Sequence, residues 1–502
     1  MSSTDNVSIG LLDGLRRHVA SAVAADGADA HQVEVGHLAW AYAHSEAGRA
    51  MAEWAASSGH PVAAELASVA EDQARRFLAG SGPSDAVETD LRLAGIAGRL
   101  RPLEDVGASE DHRLLRASLR DFAEREIRPH AQDIHRQDLD IPERIISGAA
   151  AMGLFGLSVP TEYGGAREAE DCRAMLITTE ELSRASLAAG GSLITRPEIL
   201  VGALLRGGTE DQKRRWLPAI ASGEKVVAVA VTEAGHGSDV AGITCRAARL
   251  PGGDWEISGT KLWCTFAGRA ELLMVLCRTA GGGHRGLSVF VVEKPAFAGH
   301  EFEYRQDGGM LRGKAIPTIG YRGMHTFELV FDGFRVPASA LVGQDEWLNR
   351  GFYLQMEGFS MGRVQTAGRA VGLMQAALEA ALEYARNRIV FGKPVLDHQL
   401  IRARIGWMAL RLHASRQLGY RAARLLDQGK GQMEASLAKL YASRMAELVT
   451  RDVMQVHGAM GYGEETDVSR YFADARVLPI FEGTEETLSL RVIGRTLTGA
   501  GS

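Results

Sequence analysis

The chain has 502 residues, 46% of them hydrophobic and 24% charged, with 56 basic against 62 acidic side chains and a net charge of −6. That length calls for two to four domains rather than one core, and that composition excludes a disordered chain. The slight acidity excludes a global attraction to nucleic acid or an anionic membrane, so a phosphate-bearing ligand must be met by local arginines and backbone amides.

Cys172, Cys245, Cys264 and Cys277 form no C-x-x-C pair, which suits free thiols in a reducing cytoplasm. The start MSSTDNVSIG lacks a basic-then-apolar design, so no signal peptide is expected, and no apolar run reaches bilayer length.

In chain order, residues 1–105 read as a helical extension. Val35, Leu38, Tyr42, Met51 and Trp54 recur at helical spacing, and Gly80-Ser81-Gly82-Pro83-Ser84 reads as a turn between helices. His31, His37 and His44 lack the neighbouring carboxylate or cysteine of a metal site, and no metal is expected. A second helical domain covers 106–225. Ser109 caps a helix through Arg113, Leu119, Phe122 and Ile127, Pro129 kinks or ends it, and further helices are expected near 142–152, 170–189 and 197–221.

The period then changes. Val226–Val231, Trp255–Trp263, Leu272–Arg278, Leu287–Glu293 and Thr326–Phe331 read as strands of a mostly antiparallel domain over 226–342. From 343 to 502 the chain is helical again, with long segments near 346–388, 397–428 and 432–458, a short one near 466–477 and a last one near 485–497. Helices, strands, then helices argue against a parallel dinucleotide-binding sheet.

Three matches to short motifs fail on context. Gly281-x-Gly283-x-x-Gly286 lies between two strands with no helix after it. Gly308–Lys314 is followed by Ala315 where a P-loop needs Ser or Thr. Ser436-x-x-Lys439 sits on a bundle helix, where surface or packing chemistry is the expectation.

Five segments carry more. Ala230-Val231-Thr232 runs into Glu233-Ala234-Gly235-His236-Gly237-Ser238-Asp239, a strand edge that delivers a hydroxyl and then a glycine turn. Alternation along Lys261–Thr265 places Trp263 and Thr265 on one face, an indole beside a hydroxyl. Arg388–Pro394 ends a long helix with an arginine able to reach a pyrophosphate. Gln455–Tyr462 is a small-residue loop whose amides can approach a phosphate. In Ile480-Phe481-Glu482-Gly483-Thr484 a carboxylate sits among apolar neighbours, as a base acting on a carbon acid requires; a helix-entrance charge is the plainer reading.

Together these segments resemble the acyl-CoA dehydrogenase family over roughly 110–498, through AVTEAGHGSDVAG at 230–242 and QVHGAMGYGEETDVSRYFAD at 455–474. The second departs at Ala459, where the family has glycine. The resemblance implies a mainly α fold with a central β domain: a helical domain, an antiparallel β domain and a four-helix bundle, here with the N-terminal extension. It implies FAD as cofactor, an acyl-CoA substrate, electron-transfer flavoprotein as electron acceptor, and a homotetramer or homodimer. The flavin ring would lie against Val231, Thr232, Trp263 and Thr265. Arg388, Phe391, Gln455 and Gly458 would hold the ADP half, with Thr484 also touching FAD. Ser238 and Arg363 would meet CoA, although Ser360 replaces an acidic residue common three positions before that arginine. Of the two positions that supply the base in the family, one is Glu482 and the other is Gly362, which has no side chain, so Glu482 is the catalytic candidate.

HLAWAYAHSEAGRAMAEWA in the extension, Thr195-Arg196-Pro197-Glu198-Ile199 and IGYRGMHTFELVFDGFRVP at 319–337 resemble the branch that oxidises (2S)-methylsuccinyl-CoA to mesaconyl-CoA. There Arg196 would pair with the distal carboxylate; an ion pair with Glu198, or solvent, is the alternative. Other expectations consistent with the sequence are another short or branched acyl-CoA, an oxidase on the same fold, and a non-catalytic assembly protein.

Overall fold

The computed structural model describes residues 3–79, 84–97, 99–100, 109–168 and 171–499. The expected turn at 80–83, the side chain of Ser360 and the boundary near 105 lie outside what is described. The chain forms two compact units: residues 1–121, 172–185 and 363–502, and residues 122–171 and 186–362.

Among the described residues, four helices form the extension: α1 (Ser3–Asp26), α2 (Gln32–Ser58), α3 (Pro61–Ala79) and α4 (Ser84–Ala97). Next comes α5 (Glu110–Phe122), capped by Ser109, whose Oγ accepts the His112 N–H at 3.1 Å. The chain does not stop at Pro129. A π-helical turn at Ala123–Ile127 precedes α6 (Arg128–Gln137), so Pro129 falls in the first turn of a new helix, where its missing N–H costs nothing. There follow α7 (Glu143–Ala151), α8 (Cys172–Ala185), α9 (Thr195–Gly207) and α10 (Glu210–Ala221). The single helix expected over 197–221 is thus two. Thr209 and Gln212 form a reciprocal capping box that restarts the helix after Gly208.

The sheet comprises β1 (Val227–Ala230), β2 (Arg246–Arg249), β3 (Trp255–Thr265), β4 (Leu272–Arg278), β5 (Leu287–Glu293), β6 (Glu301–Gln306), β7 (Gly309–Ala315) and β8 (Thr326–Val336). Its order is β1-β4-β2-β3-β8-β7-β6, with β5 also on β4. Only the β1–β4 and β2–β4 pairings are parallel. β4 is buried on both faces: Leu273 and Val275 join the aromatic core of Trp255, Phe290 and Phe334, while Leu272 and Met274 face Leu204, Trp216 and Leu217 of α9 and α10.

After α11 (Gln344–Trp347), α12 runs from Gly351 to Asn387, followed by a small hairpin of β9 (Ile389–Val390) and β10 (Lys393–Pro394). The bundle continues with α13 (Gln399–Leu426), α14 (Gln432–His457), α15 (Ala459–Tyr462), α16 (Asp467–Ala475) and α17 (Glu485–Thr487), then a π-helical stretch at Leu488–Gly494 and α18 (Arg495–Thr498).

The extension belongs to the same unit as the bundle. Trp54 of α2 stacks on His413 of α13 at 5.2 Å, and Trp407 of α13 donates to Asp90 of α4 at 2.7 Å. Arg421 of α13 pairs with Glu46 and Glu53 of α2. Among the described residues, no helix is long and apolar enough to cross a membrane.

Candidate active site

The residues named from the sequence fall in two sets, one in each unit. In the β-containing unit, Val231 and Thr232 follow β1 directly, and the Thr232 carbonyl accepts the Leu262 N–H at 2.8 Å. A buried ion pair fixes this corner. Lys261, fully enclosed on β3, donates to the Val231 carbonyl at 3.0 Å and to Glu233 at 2.9 Å. Glu233 also accepts the amides of Thr244 and Cys245. Burial opposes its ionisation, but Lys261 and these bonds outweigh it and hold the carboxyl below its ordinary value. The turn after Thr232 is thereby locked, with Ser238 exposed on it.

The strict alternation expected along β3 does not hold at its end. A bulge interrupts the β3–β8 register between Lys261 and Cys264, and Trp263 takes a positive φ of 60°. Its indole therefore stands out at 55% exposure, while Cys264 and Thr265 are buried. Thr265 meets Thr326 across the sheet, Oγ1 to Oγ1, at 3.4 Å. The refused glycine motif is a β4–β5 loop whose Gly281 and Gly283 carbonyls accept from Arg278, which is the reverse of an anion cradle. The P-loop look-alike is the β6–β7 hairpin, turning at Asp307 and Gly308, both with positive φ.

Arg196 lies at the start of α9 with 7% exposure. Its Nη1 donates to the Ser192 carbonyl at 3.2 Å and to the Tyr321 hydroxyl at 3.0 Å, and the guanidinium lies 5.9 Å from the Tyr321 ring centroid. It pairs with no carboxylate among the described residues, so neither Glu198 nor bulk solvent neutralises it. Tyr321 was not legible as its partner, because the contact is made across 125 positions.

In the other unit, Glu482 lies in the loop between α16 and α17. It adopts φ 55° and Gly483 adopts φ 95°. A non-glycine residue in the left-handed region costs about 1–2 kcal/mol, so its surroundings must impose the conformation. They do so at four points. Lys439 of α14 donates to the Gly483 carbonyl at 2.6 Å, and Ser443 to the Leu478 carbonyl at 3.2 Å. Arg369 of α12 stacks 4.5 Å from the Phe481 ring centroid, and Thr484 accepts the Thr487 N–H as a helix cap. Glu482 Oε2 is enclosed with no hydrogen-bond partner, and the Glu482 amide donates to no group among the described residues.

Two cations feel the Glu482 charge. Burial pulls Lys439 down to about 7, partly offset by Glu482, and pulls Arg363 below its ordinary value with the same offset. Ser436 and Lys439, assigned above to surface or packing chemistry, are both fully buried; Ser436 accepts from Arg363 at 3.3 Å. The sequence signal was a lysine at an apolar helical position.

On the same unit Phe391 and Gly392, with φ 52° and 77°, form the two-residue turn between β9 and β10. Phe391 is thereby held out at 92% exposure, with Arg388 also exposed. Gln455 and Gly458 are exposed at the α14–α15 junction, where Gly458 has φ 60° and a Cβ would meet nothing.

Residues 109–224, 228–334 and 349–498 match the N-terminal, middle and C-terminal domains of acyl-CoA dehydrogenase. The chain belongs to the acyl-CoA dehydrogenase family. It is 39% identical to (2S)-methylsuccinyl-CoA dehydrogenase of Cereibacter sphaeroides, over 78% of this chain and 70% of that protein. It is 36% identical to the mitochondrial short-chain specific acyl-CoA dehydrogenase of Bos taurus, over 78% and 92%. Butyryl-CoA dehydrogenase from Megasphaera elsdenii superposes with a TM-score of 0.72 at 28% identity, covering 78% of this chain and all of that one. Members of the family are FAD-dependent oxidoreductases, and the residues of this acyl-CoA dehydrogenase fit the cofactor. The Trp263 indole and Phe391 ring are large aromatic faces left uncovered, as planar ring systems require, and among the described residues neither the Trp263 indole N–H nor the Thr232 hydroxyl has a partner.

Proposed function

We propose that this dehydrogenase oxidises a short acyl-CoA bearing a second carboxylate, with Glu482 as the base; (2S)-methylsuccinyl-CoA, giving mesaconyl-CoA, is the substrate that fits best. The observation that carries the reading is Arg196. A buried guanidinium with no carboxylate costs several kcal/mol, and a bidentate partner on the ligand recovers it. The bonds to Ser192 and Tyr321 engage only Nη1, which leaves Nε and Nη2 to meet that partner. The likeness to the Cereibacter sphaeroides enzyme points the same way, while the bovine relative, nearly as similar, acts on short-chain substrates.

The α-hydrogen of a thioester is weakly acidic, so its removal requires a placed base and a donor at the thioester oxygen. Glu482 Oε2 takes the α-proton, and the Glu482 amide, with no acceptor among the described residues, would polarise the carbonyl. FAD, when bound, supplies the acceptor for the hydride lost from Cβ. Val231, Thr232, Trp263 and Thr265 would hold its ring, and Arg388, Phe391, Gln455, Gly458 and Thr484 its nucleotide portion. Ser238 and Arg363 would hold CoA. Electron-transfer flavoprotein would take the electrons, and the exposed Phe391 and Tyr462 suit a dimer or tetramer.

A panel of acyl-CoAs with an artificial electron acceptor tests the substrate. Methylsuccinyl-CoA should have the highest kcat/KM. Arg196→Met should lower that value about 100- to 1,000-fold, the loss expected on removing one partner of a buried charge pair, while changing butyryl-CoA turnover less than about tenfold. A wild-type preference for butyryl-CoA would overturn the substrate. Glu482→Gln should keep FAD and bind acyl-CoA but lose several orders of magnitude in rate; normal flavin bleaching by substrate in that variant would refute the base.

A further inference from the structure

A cluster outside the proposed active site brings together three residues far apart in the chain: Asp138 at the end of α6, His300 before β6, and His325 before β8. The two imidazole Nε2 atoms face each other at 2.9 Å. Asp138 Oδ1 lies 3.4 Å from His325 Nε2, and Asp138 Oδ2 lies 3.5 Å from His300 Nε2. Zinc bonds of about 2.0–2.2 Å give a tetrahedron edges of about 3.3–3.6 Å, so the Asp138 Oδ1 to His325 Nε2 side already fits, and one donor atom from each residue lies within 4.8 Å of the others. The two imidazoles need to part by a few tenths of an ångström and His300 to settle against the same carboxylate oxygen, which its side chain, 51% exposed, is free to do. We propose that Asp138, His300 and His325 form a zinc site.

The surrounding groups support ligation. Asp140 lies 3.0 Å from His325 Nδ1 and accepts the Gly299 N–H at 2.8 Å. A carboxylate on the far nitrogen fixes the tautomer that turns the Nε2 lone pair toward a metal. The Asp138 carbonyl oxygen lies 3.3 Å from the same Nε2 and, like water, could serve as the fourth ligand. Two aspartates against Arg322, 3.9 Å from Asp138, leave the cluster negative when both imidazoles are neutral. Two imidazoles with a carboxylate select zinc over magnesium or calcium, which take oxygen ligands.

The ion has a structural role. Asp138 and His325 both adopt positive φ, 53° and 40°, and the His325 carbonyl accepts the Phe266 N–H at 2.8 Å, immediately after Thr265. Zinc would therefore tie the end of α6 to the strand ends that carry Trp263 and Thr265. The holoenzyme, prepared without an affinity tag and freed of metal by a chelator, is titrated with zinc chloride by calorimetry and melted with and without zinc. One saturable site per chain and a higher Tm with zinc are expected. His300→Ala, a change at an exposed side chain, should abolish both while keeping FAD content and helicity. Asp140→Asn should weaken binding about 10- to 100-fold. Cobalt in place of zinc should show the visible absorption of tetrahedral cobalt in wild type only. Absence of saturable binding overturns the proposal, as does equal binding by wild type and either variant.

Discussion

Replacing Lys439 by methionine separates the energetic cost of a buried cation from its use. The ammonium is fully enclosed, and burial lowers it from 10.5 to about 7. At 1.36 kcal/mol per pH unit this depression corresponds to about 5 kcal/mol. Its sign follows from proton counting. The unfolded lysine keeps its proton up to about pH 10.5 while the native one releases it near 7. Between those values the unfolded state binds more protons, so stability rises with pH and falls again as pH drops toward 7. Methionine has no such slope. It does remove the 2.6 Å bond to the Gly483 carbonyl, a loss of about 1.5–3 kcal/mol if the donor is charged. At pH 7 the variant should therefore melt at or above the wild-type temperature, and near pH 10 below it. Activity should move the other way at pH 7. The strained Glu482–Gly483 turn loses one of its clamps, and kcat should fall about 10- to 100-fold, the cost of misplacing a reacting group by roughly 1 Å. Melting curves at fixed protein and FAD concentration from pH 7 to 10, with steady-state rates at pH 7, make the test. Parallel stability curves for the two proteins, or an unchanged kcat, would refute the reasoning.

Gly483→Ala places a Cβ at φ 95° and 3.1 Å from Leu488 Cδ2; about 1–2 kcal/mol of strain should appear, with a larger loss in kcat than in Tm. Trp263→Ala removes a half-exposed aromatic face and should weaken FAD binding about 10- to 100-fold, more than its stacking preference alone because contact area is lost as well, read by recovery of flavin fluorescence on dilution. His413, stacked on Trp54, is depressed by burial to about 3. The unfolded histidine takes its proton near 6.5, so this group costs stability progressively as pH falls from 6.5 toward 3. His413→Phe should flatten the acid limb of the Tm–pH curve, and an unchanged limb would count against a neutral buried imidazole.

What could be read from the sequence was what depends on local pattern. β4 and β5 fall at the boundaries that their continuous apolar runs mark, and Ser109 caps the helix that it heads. β6 and β7 were invisible because each buries one face only: β6 alternates with charge, as in Glu301-Phe302-Glu303-Tyr304, and the buried face of β7 is mostly glycine, Gly309 and Gly313 flanking Leu311. The Thr209–Gln212 capping box was legible but masked by apolar periodicity continuing on both sides. At the site, residue types were visible while their partners were not. Nothing near Lys439 in sequence indicates a carbonyl 44 positions away, and nothing near Arg196 indicates Tyr321. The bulge that frees the Trp263 indole is set by the pairing of β3 with β8, so alternation along β3 alone could not find it.

The extension takes part in this same support. Trp40 of α2 lies 5.2 Å from the Arg444 guanidinium of α14, and Arg444 pairs with Glu485, three residues past Glu482 and next to its cap Thr484. His44, one turn further along α2, packs against Tyr441, two residues beyond Lys439. Gly494, in the π-helical stretch after α17, faces Val35 so closely that any side chain there would collide. One face of α2 thus backs both the helix that clamps the Gly483 carbonyl and the segment that follows the base. A loop that must hold a non-glycine residue at φ 55° needs neighbours that cannot yield, and those neighbours gain their rigidity by being buried on the far side as well. Here that burial comes from residues which family resemblance alone would treat as an appendage.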